Sequence, residues 1–290
     1  MSTHHQSIQI SKVFLIVMTI LMSNLVYAQV KIKGNRDVRS QQTTVSGFKT
    51  LAVGNEFEVN LIKSINPSVT VEADANLHSS IIIDVNDSIL NITFTKRLKR
   101  AKAFKLTVRY TDNFDSMILR NNVDVETNEV IQSPDFSLIM KDDAKIKASF
   151  NTENFELLNE NDSNYKLTTN CQLNIETKQA TLNLKKKSNN IIQINAEALK
   201  INMYDSADLD IEGFSYNLNV HALNSSDLEG ENLLTNIIKT NIRDRAKLAL
   251  QASDSIHVDA SGKSELSIYG EPQIIIDQLA NEASILKKEF

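Results

Sequence analysis

The stretch "YDSADLDI", residues 204–211, is echoed by "LNSSDLEG" at 223–230, "RDRAKLAL" at 243–250 and "SGKSELSI" at 261–268. Each phrase sets turn-forming residues before a small residue and then a polar one, and in three of the four, apolar residues two apart follow. Taking the small residue as a marker gives Asn122, Ala144, Ser163, Ala180, Ala207, Ser226, Ala246, Ser264 and Ala283, at intervals between 17 and 27. A mean period of about 20 residues indicates a solenoid. The apolar pairs decide which kind. Leu199 and Ile201, Leu218 and Val220, and Ile256 and Val258 precede the phrase, while Leu209 and Ile211, Leu248 and Leu250, and Leu266 and Ile268 follow it. Period two is the signature of a strand and excludes helices as the repeating element. A coil of roughly 20 residues at ~3.3 Å per residue has a perimeter near 65 Å, enough for a flattened or triangular tube. The expected fold is all-β, a parallel β-helix with coils of about 19 residues and Leu, Ile and Val stacked inside. The longest interval, from Ala180 to Ala207, predicts an extra loop or strand in that coil.

Upstream of the repeat, "LAV" at 51–53, "FEVNLI" at 57–62, "VTVEA" at 69–73, "LNITF" at 90–94 and "FKLTVRY" at 104–110 also alternate, with the turn signals "INPS" and "VNDS" between them. A short helix is expected at "ADANLHSSII", with Asp74 as its cap and Leu77, Ile81 and Ile82 on one face. The organisation read from these patterns is a signal peptide over 1–28, a β-rich part over 29–111 and a repeat region over 112–290 that continues from it.

The signal peptide rests on Lys12, the apolar run "VFLIVMTILM" at 13–22, and small residues before a cleavage after Ala28. A ten-residue run is about half of what a membrane-spanning helix needs, so the chain is not expected to be integral to a membrane. Export to the periplasm, the outer cell surface or the medium follows. A single cysteine, Cys171, makes no intramolecular disulfide, and stability must come from packing and backbone hydrogen bonds. The net charge of −5 argues against nucleic acid as a partner.

The stretches "TTVSGFKTLAVGNEFEVNLIKS" and "SVTVEADANLHSSIIIDVNDSILNITF", followed by the recurring phrase, resemble the GIN-domain family, proposed head domains of autotransporter adhesins. The resemblance carries Ser46-Gly47-Phe48, the "VTVEAD" strand and the phrase itself, and covers nearly the whole chain after residue 28. It implies an exported bacterial protein of β-helical structure with an adhesive or binding role. Where the family has its Gly-Ile-Asn signature, this chain has Glu56-Phe57-Glu58. Most phrases have lost their glycine: Gly262 remains, whereas Asp205, Asn224 and Asp244 stand at the matching positions. Asn and Asp tolerate the left-handed backbone, so the turns are expected to survive.

Catalytic chemistry finds no anchor in the sequence. His78, His221 and His257 lie outside any HExxH or triad-like arrangement, and no catalytic, cofactor or metal residue is assigned. The enzyme alternative is a β-helical polysaccharide-degrading protein using "RDR" at 243–245 or "KKK" at 185–187, and a structural envelope protein without a ligand is the second alternative. The candidate contact for a surface polysaccharide or another envelope protein is the basic stretch "KRLKRAK", with Lys96, Arg97, Lys99, Arg100 and Lys102, which otherwise reads as a solvated hairpin loop between Phe94 and Phe104. The polar residues that follow the small one, Asp208, Asp227, Lys247 and Glu265, are expected to form a column with neighbours about 4.8 Å apart. Lys247 relieves the repulsion of that series, and the alternative is a divalent cation shared by Asp208 and Asp227.

N-terminal sequencing of the protein from its native envelope is expected to begin at Gln29 or within a few residues of it. An intact Met1 in a membrane fraction would show an uncleaved anchor instead.

Overall fold

The structure, a computed structural model, describes residues 31–161 and 169–290. The proposed signal segment and Ser163 lie outside the described residues. Among those residues, no helix is long and apolar enough to cross a membrane.

The alternating pattern produces a β-solenoid of about nine turns with coils of about 19 residues. A first coil is formed by Thr50–Val53 and Glu58–Lys63. The chain then leaves the tube and returns through Ile89–Phe94 and Phe104–Tyr110, which pair in parallel with one edge of that coil. Ser116–Leu119 and Asp124–Lys141 pair with its other edge and carry the solenoid onward. Every later coil pairs in parallel with the one before. The first end is closed by antiparallel strands: Ser68–Asp74 lies between Val38–Thr44 and Phe104–Tyr110, and Ile81–Asn86 lies against Ile89–Phe94.

The apolar pairs expected inside the tube are there. Leu199, Ile201, Leu218, Val220, Ile256 and Val258 are all buried, and in-register pairing stacks them into columns such as Leu199, Leu218, Ile238 and Ile256. Near the first end the core is aromatic instead. Phe114, Phe136, Phe150 and Phe155 touch in sequence, and Phe57 stacks on Phe104 at 4.0 Å. At the other end Ile274 and Ile276 continue the aliphatic columns with no further coil over them and are exposed.

The turns that follow each long strand are left-handed. Asp205, Asn224 and Asp244 have φ of 63°, 64° and 62°, Gly262 has 83° and Asn281 has 61°. The replacements of glycine by Asp and Asn therefore keep the turn, because their short polar side chains tolerate this region. Gly262 has a second reason to remain: a Cβ there would lie 2.7 Å from the backbone of Asp244.

Three expectations are corrected. The register places the marker position at Val123, Ala144, Thr169, Ser188 and Ala207, so Asn122 is one residue early and Ala180 belongs to mid-coil, between Phe155 and Leu199. The long step is therefore the 25 residues from Ala144 to Thr169, not the one ending at Ala207, whose coil has an ordinary 19-residue step from Ser188. Lys186, with φ of 58°, is the left-handed residue of that turn and hid the phrase. The expected helix is a single 3-10 turn at His78–Ser80, and Ile81–Asn86 is strand. Three successive β-branched isoleucines favour the extended backbone. Asp74 does not cap the turn with its side chain; its Oδ2 accepts the Lys102 N–H at 2.7 Å.

Leu218 is 2 % exposed and stacked between Leu199 and Ile238. Leu218→Ala is expected to lower unfolding stability by about 2–5 kcal/mol in chemical denaturation. A loss below about 0.5 kcal/mol, the range of surface changes, would place this side chain outside the tube.

Candidate functional site

Parallel in-register strands set each exposed side chain beside its counterpart on the next coil. At several positions along the tube this juxtaposition pairs opposite charges. Glu58 faces Lys105 at 3.2 Å, Glu126 faces Lys147 at 3.9 Å and Glu153 meets Lys178 at 2.9 Å. The expected column is present: Asp208 pairs with Asp227, Asp227 with Lys247, and Lys247 with Glu265. It extends upstream through Asn189, Asn170, Lys145 and Asp124 to Glu58.

Three places set like charges against each other. Two are acidic, where Glu58 faces Asp124, and where Asp208 faces Asp227 and Asp210 faces Glu229. Burial, then Asp227 and Asp210 beside it, push the Asp208 carboxyl up, and Glu229 is raised by burial and by Glu231 and the same neighbours. Among the described residues no group of three or more His, Cys, Asp or Glu is placed to hold a metal ion.

The third place is basic. The stretch read as a solvated loop is a strand, Arg97–Arg100, paired in parallel with Lys31–Lys33 as a separate two-stranded strap. Ile32 and Leu98 face each other and pack on the core, which points the flanking residues to solvent. Lys31 therefore faces Arg97, and a bulge brings Lys33 opposite Arg100. Like charges directly across a sheet are destabilising. Among the described residues, none of the Lys and Arg side chains between Lys31 and Arg36, or between Lys96 and Lys102, forms an ion pair.

The strap divides the expected site residues between two concavities. Lys96 and Arg97 line a groove of about 580 Å³ together with Asn55, Glu56, Asn122 and Asp142. Arg100 and Lys102 line a second pocket of about 450 Å³ together with Lys33 and Arg36. Lys99 is exposed. Lys33 and Arg36 were missed in the sequence; the alternation in "KIKGNRD" was a faint sign of the partner strand. At the signature position, Phe57 keeps the apolar residue because it is wholly buried, while Glu58 is taken up by Lys105.

Several of the other candidate groups have partners within the fold. Arg243 bonds the Asp259 carboxylate at 2.7 Å and its carbonyl at 3.0 Å, and Lys186 pairs with Glu160 at 3.2 Å. His78 lies against the carbonyls of Arg39 and Ala73, His221 meets the edge of Tyr204, and His257 is 3.4 Å from Asp277. Cys171 is buried, which pushes its thiol up and keeps it protonated.

Together these features define an all-β solenoid with a charged strap across its capped end. The chain matches the family model described as "Putative auto-transporter adhesin, head GIN domain" over residues 47–173 and again over 166–272, and it belongs to that family. No curated protein matches it in sequence. Among solved structures, a "putative adhesin" from Parabacteroides merdae ATCC 43184 superposes with a TM-score of 0.63 at 12% identity, covering 89% of this chain and 99% of that one. A "putative lipid binding protein" from Parabacteroides distasonis ATCC 8503 gives 0.62 at 15% identity, with coverage of 89% and 99%. A "putative adhesin" from the same strain gives 0.57 at 15% identity, with coverage of 89% and 98%. At these identities the likeness is one of fold.

A carboxyl raised in the folded state binds its proton more readily there than in the unfolded chain. Stability from Asp208 is then present at acid pH and is lost as pH rises through the folded value. Asp208→Asn is therefore expected to stabilise the protein at pH 7 by up to about 1 kcal/mol, less in high salt. The gain should vanish near pH 3.5. Thermal unfolding of both proteins at the two pH values checks it, and an equal gain at both would rule out the charge as its cause.

Proposed function

We propose that this protein is an exported, non-catalytic β-solenoid of the bacterial envelope or cell surface that binds anionic polysaccharide through the strap. The observation that carries the reading is the strap's charge. Lys31 against Arg97 and Lys33 against Arg100 are like-charged neighbours without carboxylate partners among the described residues, whereas Lys105, Lys147 and Lys178 on the coils each meet a Glu. Local arrangements that cost stability concentrate at functional sites. An acidic polymer would relieve the repulsion and gain charge-assisted hydrogen bonds. Membership of a family of proposed adhesin heads supports a surface location and a binding role.

The test is a glycan and matrix array probed with the chain from Gln29 onward, beside a variant with Lys96, Arg97, Lys99 and Arg100 changed to Gln. Retention on acidic glycans, falling at least tenfold in the variant and with added salt, is expected. Equal retention by both proteins would remove the strap from the reading, and cleavage of a bound glycan would replace it with the enzyme reading.

A further inference from the structure

The two sides of the strap differ in chemistry. The groove beside Lys96 and Arg97 mixes cations with carboxylates and amides. The pocket on the other side is walled by Lys33, Arg36, Arg100 and Lys102, with the small residues Gly34 and Ala101 between them. Its four cations come from two segments far apart in sequence.

The walls are held in place by bonds that leave the cationic heads unused. The Gly34 N–H donates to the Arg100 carbonyl at 2.8 Å, and Asn76 accepts the Asn35 N–H and donates to the Lys33 carbonyl, both at 2.9 Å. Arg36 sits at φ of 66°, a left-handed conformation costly for a side chain of its size and maintained only where the surroundings impose it. Asp37, the nearest acid in sequence, is engaged by Arg39 at 2.9 Å.

The acid beneath the pocket is Asp74, wholly buried, with Oδ2 taken by the Lys102 N–H. It lies so close to Gly34 that a Cβ there would be 2.1 Å from Oδ2. Glycine is thus the residue that lets the loop close over the buried carboxylate. Four cations over one carboxylate leave an excess of three positive charges, more than a neutral sugar uses and more than one carboxylate satisfies. A phosphate monoester carries about 1.5 to 2 negative charges and three acceptor oxygens, which suits several converging donors. The volume of about 450 Å³ leaves room for the group that bears it, within the usual 300–1,000 Å³ of ligand pockets.

We propose that Lys33, Arg36, Arg100 and Lys102 form an anion pocket that takes the phosphate monoester of a surface saccharide. This rests on the reading of the strap as a polysaccharide-binding surface and adds the group it selects and the residues that select it. Lys33 and Arg36 supply half of the pocket, and Arg100 and Lys102 place it at the strap's inner end, while Lys99 and Arg97 face the rest of the polymer.

Calorimetric titration and thermal unfolding at fixed ionic strength test the pocket, with inorganic phosphate, sulfate, glucose 6-phosphate and glucose as probes. One saturable site for glucose 6-phosphate, none for glucose, and a melting temperature higher in phosphate than in chloride are expected. Arg36→Gly is the decisive variant. It removes the guanidinium and relieves the left-handed strain, so the unliganded protein should melt no lower while binding falls at least tenfold. Lys33→Ala should weaken binding likewise. Unchanged binding by Arg36→Gly, or identical melting in phosphate and chloride, would overturn the pocket. So would binding to vesicles containing phosphatidic acid without any response to glucose 6-phosphate, which would assign the cations to a membrane surface. Array binding retained without a response to phosphate would sink the pocket alone. A phosphate response without array binding would leave the pocket standing and sink the polysaccharide reading.

Discussion

In-register parallel pairing is the constraint on which the rest of this molecule depends. It places every side chain about one strand spacing, ~4.8 Å, from its counterpart in the next coil. Inside the tube that repetition is favourable, because Leu199, Leu218, Ile238 and Ile256 bury one another's surfaces. Outside it is favourable only where the polar side chains suit each other. Asn224 donates to Asp205 at 3.0 Å and Asn202 to Asn183 at 2.8 Å, so amides make ladders. Charges make them only when the sign alternates, as Glu58 and Lys105 do.

The same constraint governs the ends. A parallel stack has two open edges, each a row of unpaired backbone groups and a layer of inward-facing apolar residues. At the first end the chain covers both with antiparallel strands and fills the interior with Phe57, Phe94 and Phe104. The strap lies across this cap through Ile32 and Leu98. Its charges are thus presented on a packed support and not on a free loop. At the opposite end Lys287 occupies the position that Ile268 holds in the coil before, and it pairs with Glu271. A charge at an inward position discourages further strand addition there.

How much of this was legible in the sequence follows from the range of the interactions. The period-two pattern and the recurring phrase are local, and they disclosed the tube, its inward residues and the column from Asp208 to Glu265. The errors arose where one coil lost the phrase: Lys186 serves as the left-handed residue before Ser188, and the small residue of Ala180 offered a false marker. The strap was half legible. "KRLKRAK" announced its own charge, but nothing local says that a strand more than sixty residues earlier would lie beside it and bring Lys33 and Arg36 to the same pocket. That pairing is made by tertiary packing of two short hydrophobes, which no periodicity records.

The central claim is that the strap is built against electrostatic preference, so that its charge is available to something else. A double-mutant cycle on stability, with Lys33→Gln and Arg100→Gln at low ionic strength, measures this directly. The account predicts repulsive coupling of about 0.2–1 kcal/mol between the two cations, fading with salt. A coupling of zero or of attractive sign at low salt would contradict it.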